Sequence, residues 1–312
     1  MLTSAKTGGP GIHLHQHPED FSAPRARWEL LGFYVLLVLA TLAATALFWR
    51  VPQNFIFGDI KAIEDVLNDI SGWLTAAPAA IALFITMVSR GPRDMLALLR
   101  RVLVLPPAWL PLALLLPLVA QAVALALWTL LFRGAMPALD FAVLTPQWLA
   151  MTPVAALVLL GHEIGWRGFA LPRILTYLSW RKAALLCGIL WAGWHMPFWL
   201  PAHIAATGSP AAAFLLTAAN TLEALAVSVI LTWLALRIRH SIALPALFFG
   251  ASNAGMSLIR DLLDYQAAAP SWPVTYAIVL ALFAAPFLLP ARQTPDFSKA
   301  SDFAHADERA RP

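Results

Sequence analysis

Charged side chains are scarce in this sequence. Asp, Glu, Lys and Arg together make up 12% of its 312 residues, whereas soluble domains carry about 25%. Hydrophobic residues supply 60% of the chain. This balance excludes an ordinary soluble domain and predicts an integral membrane protein that is surrounded by membrane lipids.

Cysteine is almost absent, because Cys187 is the only one. A single cysteine excludes an intramolecular disulfide and a metal cage built from several thiolates. The net charge of +4 does not indicate a nucleic-acid surface, because the basic residues lie in short clusters between apolar runs. We therefore predict no nucleic-acid partner.

Long apolar runs dominate the rest of the chain. A helix needs about 20 residues to cross ~30 Å of hydrocarbon, and eight runs reach or approach that length. They predict an all-α fold, a polytopic bundle of about eight transmembrane helices, in one domain over residues 28–290. The flanking segments 1–27 and 291–312 are polar, and we expect them to be disordered. The runs are Leu30–Trp49, Trp73–Val88, Pro111–Phe132, Trp148–Leu171, Ala183–Leu200, Ala211–Leu236, Ile242–Leu258 and Trp272–Leu289.

Basic residues mark every second connection between these runs. Cytoplasmic loops of membrane proteins carry an excess of Lys and Arg. The pattern therefore predicts a multi-pass protein of the cell membrane with both termini in the cytoplasm. The basic clusters are Arg25 and Arg27; Arg90, Arg93, Arg100 and Arg101; Arg173, Arg181 and Lys182; and Arg237 and Arg239.

A few polar side chains interrupt the apolar runs, and such residues are functional candidates because they are costly in lipid. Glu163 and Arg167 are four positions apart, so they share one face of a helix. A buried ion pair that serves only the structure explains this pair about equally well. His195 and Asn253 are each more simply explained as hydrogen-bonding contacts between helices.

The depth of these residues favours a shared site. His195 lies 13 residues beyond Lys182, and Asn253 lies 14 residues beyond Arg239, which places both roughly 20 Å from their basic clusters. Glu163 precedes Arg173 by 10 residues, or about 15 Å. These residues can meet at one level of the bundle if the fourth helix extends past Arg167, so that Arg167 also lies within the membrane.

The three polar segments resemble the motifs of the CAAX protease and bacteriocin-processing family of intramembrane peptidases, also called type II CAAX prenyl endopeptidase-like. The family motifs are Glu-Glu-x-x-x-Arg, Phe-x-x-x-His and His-x-x-x-Asn. They fall on His162–Arg167, Trp191–His195 and Phe249–Asn253 of this chain. The resemblance covers about residues 148–258. It implies an eight-helix fold and a membrane-associated protein or peptide as substrate.

Two of the family's catalytic positions are substituted here. His162 stands where the family has its water-activating glutamate, and Phe249 stands where the third motif has a histidine. Trp191 also replaces the phenylalanine of the second motif. Losing one oxyanion donor typically costs ~10²–10³ in rate, and losing the base can cost more. The residues that match the family are Glu163, Arg167, His195 and Asn253.

The resemblance leaves the catalytic base open. His162 and His195 are candidates together, or Glu163 can take over if the helix is distorted, because successive helical residues diverge by about 100°. His162, Glu163 and His195 are also weak candidate ligands for a divalent metal such as zinc. The zincin pattern His-Glu-x-x-His fails, because Trp166 occupies the second histidine position.

Two functions from different classes follow. The first is an intramembrane endopeptidase with Glu163, His195, Asn253 and His162 as catalytic candidates and Arg167 as the charge partner. The second is a catalytically silent relative that binds membrane segments or a partner protein, which the two substitutions favour. A transporter is disfavoured, because no internal repeat is visible. The sequence does not indicate an oligomeric state.

Overall fold

The computed structural model describes residues 23–47, 70–133, 141–238, 241–262 and 271–289. Helices make up almost all of these residues, and no strand occurs among them. Helix α1 begins at Ala23, so the predicted domain start at residue 28 lies inside it. The rest of the two segments predicted to be disordered lies outside the described ranges. In chain order the α-helices are α1 Ala23–Leu47, α2 Ile70–Arg90, α3 Pro92–Arg100, α4 Leu110–Trp128, α5 Phe141–Glu163, α6 Leu171–Leu175, α7 Trp180–Thr207, α8 Pro210–Arg237, α9 Ala243–Leu262 and α10 Ser271–Leu288.

Each of the eight predicted apolar runs overlaps a helix within the described residues, which confirms the all-α polytopic bundle. Six helices of the described chain are long and apolar enough to cross a membrane. Two others, Thr75–Arg90 and Ala243–Ile259, are shorter apolar helices. The number of eight spans therefore stays a prediction. Helices are the expected solution, because lipid offers no partner for an exposed peptide group.

The bundle brings α5, α7 and α9 around one centre. Helix α7 packs against α8, and α9 packs against α5 and α4. Close approach of α9 to α5 requires Gly250, since a Cβ atom there would lie 2.5 Å from the backbone nitrogen of Ala156. Gly208 adopts a left-handed φ of 63° and ends α7. Ser209 then caps α8 by accepting the N–H of Ala212, so α7 and α8 form a tight antiparallel pair.

A charged cluster joins three helices at one end of the bundle. Glu29 of α1 accepts two hydrogen bonds of 3.0 Å from Arg90 of α2. It also accepts a 2.7 Å bond from Nε of Arg173 in α6. All three side chains are nearly inaccessible. Arg25 adds a longer contact of 3.4 Å. This cluster fixes α1 and α2 to the segment that follows the first polar motif.

A π-helical segment, Ile164–Ala170, continues α5 directly after Glu163. All seven of its residues are buried, and α6 follows without a break. Arg101 donates hydrogen bonds of 2.9 Å to the Gly168 carbonyl and 3.3 Å to the Arg167 carbonyl. Desolvation lowers the pKa of Arg101 to about 10, so its guanidinium stays charged at neutral pH. The apolar helical stretch Leu144–Leu175 continues past Arg167, as the shared depth of the motifs requires.

Candidate functional site

The three polar motifs converge in the structure. The rings of His162 on α5 and His195 on α7 have centroids 5.7 Å apart. Phe249 on α9 lies 6.0 Å from His162. Trp194 lies 5.1 Å from His162 and 4.3 Å from His195, and Trp191 contacts both histidines. The two imidazoles are therefore enclosed by aromatic side chains.

Hydrogen bonding determines which nitrogen of His195 can take a proton. Its Nδ1 lies 3.0 Å from the carbonyl oxygen of Trp191, one turn earlier on α7. A carbonyl oxygen only accepts, so Nδ1 carries the hydrogen and Nε2 of the neutral ring is free to act as a base. The ring also stacks on Trp199 at 4.9 Å. The side chain is buried, with 6% of its surface exposed.

His162 is more deeply enclosed. Its side chain is 1% exposed, and neither ring nitrogen has a hydrogen-bond partner among the described residues. Unpaired buried polar atoms are costly. The His162 ring is therefore in an unfavourable environment for its two nitrogens, and it packs against the rings of Trp191, Trp194 and Phe249.

Glu163 points to a different partner. Its Oε1 accepts a 3.0 Å hydrogen bond from Nη1 of Arg167, and both side chains are fully buried. The predicted pair therefore exists. Glu163 makes no hydrogen bond with His195, and Oε2 has no partner within the described part of the chain. Arg167 additionally lies over the Trp191 ring, 5.4 Å from its centroid.

Asn253 lies one turn beyond Phe249 on α9. Its Nδ2 donates a 2.8 Å hydrogen bond to the Phe249 carbonyl. Because an amide nitrogen carries two hydrogens, one donor remains available. Asn253 lines a cavity of about 80 Å³, which is room for several water molecules.

The same cavity separates the predicted residues into two groups. Asn253 and three aromatic residues, Trp191, Trp199 and Phe249, form part of its wall. His162, His195, Glu163 and Arg167 are not among its lining residues. The aromatic side chains thus touch the histidines on one side and the cavity on the other.

Sequence reasoning missed further polar residues of this cavity. Glu223 and Asn220 of α8, His203 of α7 and Tyr276 of α10 all line it. Glu223 was detectable, because an ionisable residue inside an apolar run is a functional candidate by default. The other three carry no such signal, since helical spacing alone does not reveal which neighbour they face.

The predicted metal ligands do not fit a metal. No group of three His, Cys, Asp or Glu side chains in the described ranges is arranged to hold an ion. Glu163 is turned toward Arg167, and this leaves only His162 and His195 facing each other. The angular step between successive helical residues explains the separation of Glu163 from His162. The zinc interpretation therefore has no supporting donor set.

The fold is a helical membrane bundle in which the three motifs converge. Residues 143–255 match a family model described as type II CAAX prenyl endopeptidase Rce1-like. The chain is also 30% identical over 115 residues to CAAX prenyl protease 2 of Methanococcus maripaludis. The alignment covers 36% of this chain and 42% of that protein. The resemblance that the motifs predict is confirmed for this part of the chain.

Proposed function

We propose that this protein is an intramembrane endopeptidase that hydrolyses a peptide bond of a membrane-associated protein or peptide. One observation carries the proposal: α7 and α9 bring the rings of His195 and Phe249 each within about 6 Å of the His162 ring on α5, beside a cavity that Asn253 lines. Residues of three unrelated motifs need not converge in this way, whereas the residues of a catalytic site must.

Asn253 is the residue best placed to stabilise the transition state. Attack on a peptide carbonyl moves negative charge onto its oxygen, and a preorganised N–H donor stabilises that charge. Asn253 is held by its bond to the Phe249 carbonyl, and its second N–H is available to the cavity. The motifs supply His195 as the base through its free Nε2.

The substrate class follows from the position of the site. The cavity lies among membrane-spanning helices, so its substrate approaches from the membrane or its surface. Basic clusters predict that both termini face the cytoplasm, and the site is proposed to act on substrates from that side. A prenyl group is not part of the proposal, because no feature of this chain indicates one.

Quantitative N-terminal proteomics of membranes tests the proposal. Cells producing the native chain are compared with cells producing Asn253→Ala at equal level, and with an empty vector. Native-dependent N-termini are the protein N-termini that appear with the native chain and not with the empty vector. Their abundance is expected to fall about 10²–10³-fold in the variant, as for loss of an oxyanion donor. Thr221→Ala is the matched control, because Thr221 bonds only within α8 to Thr217. Identical N-termini in native and vector membranes would refute endopeptidase activity.

A second candidate function is a silent relative that binds membrane segments. The observation that favours it is the aromatic enclosure of the two motif histidines. Neither His162 nor His195 lines the cavity, and the ring nitrogens of His162 lack hydrogen-bond partners within the described residues. In that case the cavity binds a segment without cutting it. A photocrosslinking amino acid placed at Met256, which lines the cavity, tests this function. It would trap an uncut partner in membranes that show no new N-termini.

A further inference from the structure

Glu223 is a carboxylate within the membrane that belongs to none of the three motifs. It lies near the middle of α8, inside a span of 28 residues, and lines the cavity together with Asn253. No salt bridge joins Glu223 to a basic residue of the described chain. Glu163 and Glu29, by contrast, are each paired with arginine. A structural carboxylate in lipid is normally paired, so Glu223 needs another explanation.

A histidine lines the cavity beside Glu223. His203 on α7 receives a 3.0 Å hydrogen bond at Nε2 from the amide nitrogen of Asn220 on α8. The amide nitrogen donates, so Nε2 accepts and the hydrogen of the neutral ring is on Nδ1. This Nδ1 is buried and has no partner among the described residues. The Asn220 bond thus holds His203 with one unused donor.

The cavity therefore contains a second set of the residue types that the family motifs use. Glu223, His203 and Asn253 supply a carboxylate, an imidazole and an amide from α8, α7 and α9. Tyr276 adds a phenol whose oxygen lies 3.1 Å from the Ser252 hydroxyl. In the motif set, His162 replaces the carboxylate and is separated from the cavity by aromatic side chains.

We infer that Glu223 is the water-activating carboxylate of this protein and takes the role that position 162 no longer supplies. The inference rests on the proposed endopeptidase function and changes the identity of its base. His203 is a positioning residue of the cavity wall, and its ring is held by the Asn220 amide. Under this assignment, His195 and His162 maintain the packing of α5 against α7.

The reaction balances with these groups alone. Glu223 removes a proton from a water molecule in the cavity, and the water oxygen bonds to the peptide carbonyl carbon. Negative charge moves to the carbonyl oxygen, where the second N–H of Asn253 donates to it. The intermediate then breaks its C–N bond. The proton on Glu223 passes to the leaving amine, which restores the carboxylate.

The test compares two sets of variants in the same N-terminal proteomics of producing membranes. Glu223→Gln is expected to reduce native-dependent N-termini by about 10²–10⁴-fold, the usual contribution of a general base. Thr221→Ala, on the same helix, is expected to retain cleavage and serves as the control, because Thr221 bonds to Thr217 within α8. His203→Gln, which keeps a donor, should retain more cleavage than His203→Leu. All variants are compared at equal levels in the membrane.

A chemical modification keeps the inference testable if Glu223→Gln does not fold. Native membranes are treated with dicyclohexylcarbodiimide, which modifies membrane-embedded carboxyl groups, and the modified peptides are identified by mass spectrometry. Modification is expected at Glu223 before Glu163, because Glu163 is fully buried and paired with Arg167. Cleavage should fall in proportion to the modified fraction of Glu223.

The outcomes separate this inference from the proposed function. Loss of cleavage in Glu223→Gln with retention in Thr221→Ala supports both. Native-level cleavage in Glu223→Gln, or unaltered cleavage after modification of Glu223, overturns the inference and leaves the endopeptidase with His195 as its base. Absence of any native-dependent N-terminus overturns the endopeptidase and the inference together.

Discussion

Replacing Glu29 by glutamine should strongly destabilise the bundle. Glu29 is the carboxylate shared by Arg90 and Arg173, which approach it from two other helices at 3.0 and 2.7 Å. Their side chains are only 5–6% exposed, so solvent screens this cluster little. Removing one partner of a buried ion pair leaves an uncompensated charge and costs about 3–5 kcal/mol. We expect Glu29→Gln to lower the free energy of unfolding by that amount.

Equilibrium unfolding of the purified protein in mixed micelles measures this change, with tryptophan fluorescence as the signal. Arg93→Ala is the control, since Arg93 is exposed on α3 and surface substitutions usually change stability by less than ~0.5 kcal/mol. A double change of Glu29 and Arg173 should cost less than the sum of the single changes, because the two groups interact. A loss below ~1 kcal/mol for Glu29→Gln would refute the reasoning that this cluster holds α1, α2 and α6 together.

Three further predictions concern the site and its support. The double change His162→Glu with Phe249→His restores the family's residue types, so native-dependent cleavage should rise in N-terminal proteomics; an unchanged level would contradict the motif alignment. Gly165→Ala should destabilise the protein in the same unfolding assay, because the new Cβ would lie 2.4 Å from a proline side chain of α2, while Gly32→Ala, with its nearest atom at 3.9 Å, should be tolerated. Arg101→Ala should increase hydrogen exchange in the π-helical segment, whose carbonyls Arg101 binds; unchanged protection there would show that packing alone holds the segment.

Much of the architecture follows from patterns that are local in the chain. Apolar runs of span length predict helices, because lipid forces each segment to satisfy its own backbone, and every predicted run overlaps a helix in the described part of the chain. The Glu163–Arg167 pair follows from a spacing of four residues and is present at 3.0 Å. Helix length likewise indicates a common depth for His195 and Asn253, and the structure places the motifs that contain them side by side.

Contacts between distant segments did not follow from such patterns. Glu29 and Arg173 are separated by 144 positions, and no periodicity links them. The π-helical segment after Glu163 accepts hydrogen bonds from the distant Arg101, and the local sequence of the helix does not predict this contact.

The sequence by itself determined that the chain is a helical membrane protein with three family-like motifs, since hydropathy and spacing are properties of neighbouring residues. Only the tertiary structure decided what faces the cavity. Aromatic packing screens His162 from it, while Glu223 of α8 and Asn253 of α9 both line it. The physical reason is that a cavity is enclosed by side chains from several helices, and their rotation about the helix axes is set by packing against one another.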